Sequence, residues 1–151
     1  MSKHWYLVAE RGGARVFEQE GVTSELKLVK RFENHLGTLK TSELVSDRQG
    51  RTEFGGGGHS AVGKEDTARK RVLQQFVGEL SKFLEHEAQQ HSYASLVLVA
   101  EAQVLGELRK GIGKVTLKLV RDGISKDFVH VADRDIASHL KDTLLSSEAI
   151  A

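Results

Sequence analysis

Residues 55–61 read Gly55-Gly56-Gly57-Gly58-His59-Ser60-Ala61, four glycines followed by an imidazole and a hydroxyl. Glycine backbones adopt positive φ and approach a ligand closely, at an entropic cost in the folded state. An imidazole ionises near pH 6.5 as a rough reference, so His59 could orient or deprotonate a water at neutral pH. The pattern suggests a tip that reaches a partner, with His59 as the candidate catalytic group and Gly57, Gly58 and Ser60 beside it. A simple flexible connection fits the same glycines.

Three other constellations fail on spacing or context. Gly58 to Lys64 spells G-x-x-x-x-G-K, but a phosphate-binding loop needs Ser or Thr next and a buried strand before it. Glu65 follows instead, where a carboxylate would repel phosphates, and Arg51-Thr52-Glu53-Phe54 is no buried strand. His86 and His91 stand five residues apart, which puts them about 140° apart on a helix and not on one metal-binding face. Glu10 and Glu101 fall at the ends of strands that could be neighbours, as carboxylates of a ribonuclease-H-like nuclease would. Neither sits in an acidic motif, and both read as solvated strand ends. No metal site and no cofactor is expected.

A chain of 151 residues, 39% hydrophobic and 28% charged, fits one domain with a real core. The zero cysteine count excludes disulfides and thiol chemistry. No apolar run reaches the roughly 18 residues that a membrane span requires. The start Met1-Ser2-Lys3-His4-Trp5 leads straight into a strand-like pattern without a signal region, so a cytoplasmic location is expected. The net charge of +1 creates no global field for nucleic acid. Residues 103–126 are locally basic, with Arg109, Lys110, Lys114, Lys118, Arg121 and Lys126 against Glu107 and Asp122. That segment reads first as a solvated face and second as a phosphate-binding surface.

The elements that must position these residues follow from periodicity. His4–Glu10, Ala14–Gln19 and Glu25–Phe32 read as strands of an antiparallel meander, punctuated by Arg11-Gly12-Gly13 and Glu20-Gly21. Residues 33–64 lack an apolar period and read as one long polar loop, a length that suggests function or disorder. From about Glu65, Val72, Leu73, Phe76, Val77, Leu80, Phe83, Leu84 and Ala88 trace one helical stripe. Glu65 and Asp66 near its start suit the helix dipole. Tyr93–Ala100 reads as a strand buried on both faces, and a short helix carries Leu105 and Leu108. Val115, Leu117 and Leu119 alternate with Thr116 and Lys118 as a further strand, and Asp133 caps a last helix with Ile136, Leu140 and Leu144. The predicted order is β-β-β-loop-α-β-α-β-α, a single α/β domain of residues 1–151 with a mixed sheet.

Several stretches together resemble the bacterial host attachment protein family. They are Trp5-Tyr6-Leu7-Val8-Ala9, Ala14-Arg15 before Val16-Phe17, Asp47-Arg48-Gln49-Gly50-Arg51, Leu96-Val97-Leu98-Val99-Ala100, Leu105-Gly106-Glu107-Leu108-Arg109 and Lys126-Asp127. The resemblance runs from about residue 3 to 142. That family is in turn similar to the central domain of eukaryotic and archaeal class-one peptide release factors and their relative Pelota. There, a loop after three strands carries Gly-Gly-Gln ahead of a basic helix, and its tip promotes peptidyl-tRNA hydrolysis in the ribosome. Here Gly57-Gly58-His59 occupies the matching place, with Ser60-Ala61 and then Arg69-Lys70-Arg71 after it. The resemblance implies a release-factor central-domain-like or ribonuclease-H-like topology and a ribosome or tRNA partner.

His59 stands where the glutamine would, and an imidazole differs from a primary amide in shape and donor pattern. The expectation is therefore a cytoplasmic binding protein without turnover. Its loop tip is Gly57, Gly58, His59 and Ser60, and its phosphate contacts are Arg48, Arg51, Lys64, Arg69, Lys70 and Arg71. Two alternatives remain: a protein-interaction factor that supports attachment to host cells, and peptidyl-tRNA hydrolysis in ribosome rescue. Nothing in the sequence specifies an oligomeric state.

Overall fold

Trp5, Tyr6, Leu7, Val8 and Ala9 are all buried, so the first strand, β1 (Lys3–Glu10), needs cover on both faces. The computed structural model, which describes residues 2–21, 25–39 and 61–150 (with side chains in the last stretch from 67 to 143), supplies it. β2 (Gly13–Glu20) pairs antiparallel with β1, and β3 (Lys27–Glu33) antiparallel with β2. β4 (Ser95–Ala100) pairs parallel with β1, setting Leu7 opposite Leu98, and β5 (Val120–Ser125) pairs parallel with β4. The sheet order is β3-β2-β1-β4-β5. This mixed five-stranded sheet with its helices is the single α/β domain of ribonuclease-H-like topology that the sequence predicts.

Strand alternation sends each apolar set to its own layer. Trp5, Leu7 and Ala9 join Val16 and Leu98 under α1 (Ala61–Gln89) and α2 (Ala102–Gly111). Leu73, Phe76, Leu80, Leu84 and Ala88 of α1 recur at helical spacing and close that face. Tyr6 and Val8 point the other way, with Phe17, Val97 and Val99, and pack against Phe128 and against Ile136 and Leu140 of the last helix (Asp133–Ile150).

Four local expectations are corrected. The helix α1 begins at Ala61, not near Glu65, so residues 61–64 are helical and Glu65 and Asp66 fall beyond the first turn. A short 3-10 turn, His35–Thr38, occupies the start of the expected loop. The predicted strand at Val115–Leu119 is instead a helical turn, α3 (Lys114–Leu119). The cause is Glu85 on α1. Its carboxylate accepts the N–H groups of Val115 at 3.3 Å and Thr116 at 2.9 Å, and the Thr116 hydroxyl at 2.8 Å. Those bonds occupy the free donors at a helix start, where negative charge is favourable. Thr116 is fully buried while Leu117 is 54% exposed, the reverse of what an alternating strand needs. Lastly, Asp133 is the first residue of the final helix, α4 (Asp133–Ile150), and its carboxylate pairs with Arg15 and Arg31.

Candidate functional site at the carboxyl edge of the sheet

In open α/β sheets, ligands bind outside the carboxyl ends of the parallel strands. Here β1 ends at Glu10 and β4 at Ala100, and the β1–β2 turn places Arg11 at that edge. The turn is held from the side by the 3-10 segment. Asn34 donates its side-chain amide to the Arg11 carbonyl at 2.9 Å and its backbone N–H to the Gly12 carbonyl at 3.0 Å. Gly37 lies against the same carbonyl, where a Cβ would fall 1.7 Å from the Arg11 oxygen, so no larger residue fits.

With its backbone fixed, Arg11 reaches across to α2, and its Nη2 donates to Gln103 Oε1 at 2.7 Å. A groove of about 530 Å³ opens there between α1 and α2, lined by Arg11, Arg69, Lys70 and Lys110 with Gln103, Gly106 and Glu107. Glu107 pairs with Lys110 at 3.8 Å. Among the described residues, Arg11, Arg69 and Lys70 form no ion pair. Partial burial lowers the affinity of the Arg11 guanidinium for its proton, and the like charge of Arg69 lowers it further, against Glu101 and Glu107. The groove lining thus carries Arg11, Arg69, Lys70 and Lys110 against Glu107, a net positive surface. Guanidiniums match the oxygens of phosphate and carboxylate with paired N–H donors.

The structure brings together two of the residues expected from sequence, Arg69 and Lys70. Arg71 is exposed but does not line the groove, because two positions on from Arg69 is about 200° around the helix. Lys64 lies in the first turn of α1, with its side chain outside the described residues. Arg48, Arg51, Gly57, Gly58, His59 and Ser60 also lie outside the described residues. Arg11 and Gln103 were not anticipated. Lys110 belongs to the basic segment 103–126, but only the parallel pairing of β1 with β4 brings it to the same edge as Arg11.

The remaining candidates have other work. Glu101 caps α2, accepting the N–H groups of Gln103 at 3.2 Å and Val104 at 3.1 Å. Among the described residues, no three His, Asp or Glu side chains gather as a metal site requires. His91 adopts φ 59° just past α1. Its N–H bonds the Ala88 carbonyl and the Ser92 N–H bonds the Glu87 carbonyl, a Schellman helix end.

The family of proteins described as required for attachment to host cells matches this chain over residues 5–140. The chain belongs to that family. No curated protein sequence matches it significantly. Among solved structures, this family member is similar to an archaeal protein at 11% identity and a TM-score of 0.48, over 98% of this chain. It is also similar to an archaeal translation termination factor, aRF1, at 10% identity and a TM-score of 0.49, again over 98% of its length. It spans only 39% of each of those two chains. A Ppx/GppA phosphatase from Aquifex aeolicus is similar at 8% identity and a TM-score of 0.36, over 83% of this chain and 36% of the phosphatase. Likenesses at these identities and TM-scores carry no argument about chemistry. Among the described residues, no helix is long and apolar enough to cross a membrane.

Proposed function

We propose that this family member is a non-catalytic RNA-binding protein of the cytoplasm, which engages ribosome- or tRNA-borne phosphates through the α1–α2 groove. One observation carries the reading: Arg11 is half-buried beside Arg69, with Lys70 next to them and, among the described residues, no ion pair on any of the three. Such crowding opposes folding and is relieved when polyanionic phosphate occupies the groove. Each bound cation displaces counterions, so binding is salt-dependent. Leu39 borders Arg11 and Arg69, and the segment bearing Arg48, Arg51, Gly57, Gly58, His59 and Ser60 joins Leu39 to Ala61. In this reading that segment probes the partner, Lys64 and Arg71 add phosphate contacts, and His59 performs no hydrolysis. Co-sedimentation with ribosomes at low salt tests the proposal. The wild type travels with the ribosomal fraction and Arg69→Glu/Lys70→Glu does not. Wild-type protein left in the top fractions at low salt defeats the reading.

A second reading follows from the family's description, a role in attachment to host cells. Leu28 and Val29 on the edge strand β3 are 38% and 42% exposed, an apolar pair at a sheet border where proteins associate. This reading calls for nuclease-resistant protein partners in a pull-down and some protein at the cell surface. Recovery in the cytosol alone defeats it.

A further inference from the structure

One face of α2 turns Gln103, Gly106, Glu107 and Lys110 toward the groove, positions i, i+3, i+4 and i+7 of a helix. Lys110 suits a phosphate ligand, but Glu107 does not, because a carboxylate repels the anion that the groove binds. Its side chain is only 13% exposed, and its ion pair to the 74% exposed Lys110, at 3.8 Å, is of a kind that contributes little. Among the described residues neither Glu107 oxygen accepts a hydrogen bond, and neither is sealed from solvent. Two acceptor atoms are thus held at the groove wall with nothing bonded to them.

The neighbours on that face complete a pattern of donors and acceptors. Gln103 Oε1 is taken by Arg11 at 2.7 Å, and among the described residues the Gln103 amide N–H groups have no acceptor. Between Gln103 and Glu107 on this face, Gly106 has no side chain, and a Cβ there would meet nothing within 4 Å. Packing therefore does not require this glycine, which costs a helix interior about 1 kcal/mol relative to alanine. Its effect is to leave a bare strip of helix backbone on which a flat ring can lie.

We infer that the groove reads an unpaired guanine, with Glu107 accepting its N1–H and N2–H and Gln103 donating to its O6 across the bare backbone of Gly106. This rests on the phosphate reading above and names the base that accompanies the phosphate. A carboxylate with both oxygens open takes two parallel N–H donors, as it does from arginine. Among the four RNA bases, only guanine presents two adjacent N–H groups next to a carbonyl oxygen on its Watson–Crick edge. Cytosine and adenine offer a single amino group there, and uracil a single imide N–H. That edge is free in single-stranded RNA, where bases splay out for recognition.

The test is fluorescence anisotropy of the full chain with end-labelled heptamers UUUGUUU, UUUAUUU, UUUCUUU and UUUUUUU at low salt. Wild type binds UUUGUUU about tenfold or more tightly than the other three, the discrimination expected of a bidentate pair. Glu107→Gln weakens UUUGUUU to the level of the others while UUUUUUU binds more tightly, because a negative charge has left the groove. A carboxylate that only shaped the local charge would move both in the same direction, so tighter binding of UUUGUUU by that variant overturns the inference. Should Glu107→Gln fold poorly, Gly106→Leu, a favourable change for a helix, covers the bare backbone and lowers the guanine preference. Equal affinity of wild type for all four, a preference for another base, or a guanine preference that survives in a folded variant overturns the inference and leaves the phosphate reading standing. Wild type that binds none of the four defeats the phosphate reading, and the inference with it.

Discussion

Arg11 Nη2 donates to Gln103 Oε1 at 2.7 Å, a single bond that joins the β1–β2 turn to α2 and holds a guanidinium at the floor of the cationic groove. The neighbour Arg69 and partial burial both disfavour that charge. Arg11→Met therefore leaves stability unchanged or slightly raised in urea denaturation, while RNA affinity falls. A variant that loses stability and affinity together would mean that Arg11 serves the fold.

Asp133 and Glu10 predict opposite pH effects. The Arg15 hydrogen bond first, then the charge of Arg31, holds the Asp133 carboxyl below its ordinary range despite some burial. A depressed folded pKa contributes stability above the unfolded pKa, about 3.9 for Asp, which is lost as pH falls through the folded value. Asp133→Asn therefore destabilises at pH near 7 (about neutral) and much less in acid. Burial raises Glu10, so its contribution is present below the unfolded pKa and lost as pH rises through the folded value. Glu10→Gln is thus near-neutral in acid and stabilising at neutral pH. Denaturant midpoints across the acid range check both signs.

Thr116 is fully buried and donates its hydroxyl to Glu85 at 2.8 Å. Thr116→Val keeps the shape and removes that donor, at a cost of about 1–2 kcal/mol. Calorimetry should show a lower Tm with the same enthalpy per residue. An unchanged Tm would mean that the two backbone N–H bonds alone hold α3 to α1.

His91 sits at φ 59°, a region where a side chain is strained and glycine is not. His91→Gly is expected to raise stability by about 0.5–1 kcal/mol, the strain relieved minus the added freedom of the unfolded chain. Equilibrium denaturation measures it, and a loss of stability contradicts the strain argument.

Legibility from sequence followed the range of the deciding interaction. Trp5–Ala9 and Leu96–Ala100 are uninterrupted apolar runs, and the Leu73–Leu84 stripe has one period, so their elements could be read locally. Residues 115–119 carry a strand's alternation, yet Glu85 captures their N–H groups from another helix, which no local pattern announces. Arg69 and Lys70 stood out as a basic pair on a helix, whereas Arg11 looked like turn punctuation. Its role depends on β1 lying parallel beside β4, which brings α2 with Gln103 and Lys110 to the end of β1.

The groove as an RNA-phosphate site is tested most directly by the salt dependence of binding. Anisotropy of a labelled tRNA would be measured against wild type and Arg11→Ala/Arg69→Ala/Lys70→Ala over a range of salt concentrations. Wild-type affinity should fall steeply with salt, and the slope of log K against log salt should shrink by about one for each phosphate-bound cation removed. Equal slopes and equal affinities for the two proteins would contradict the account.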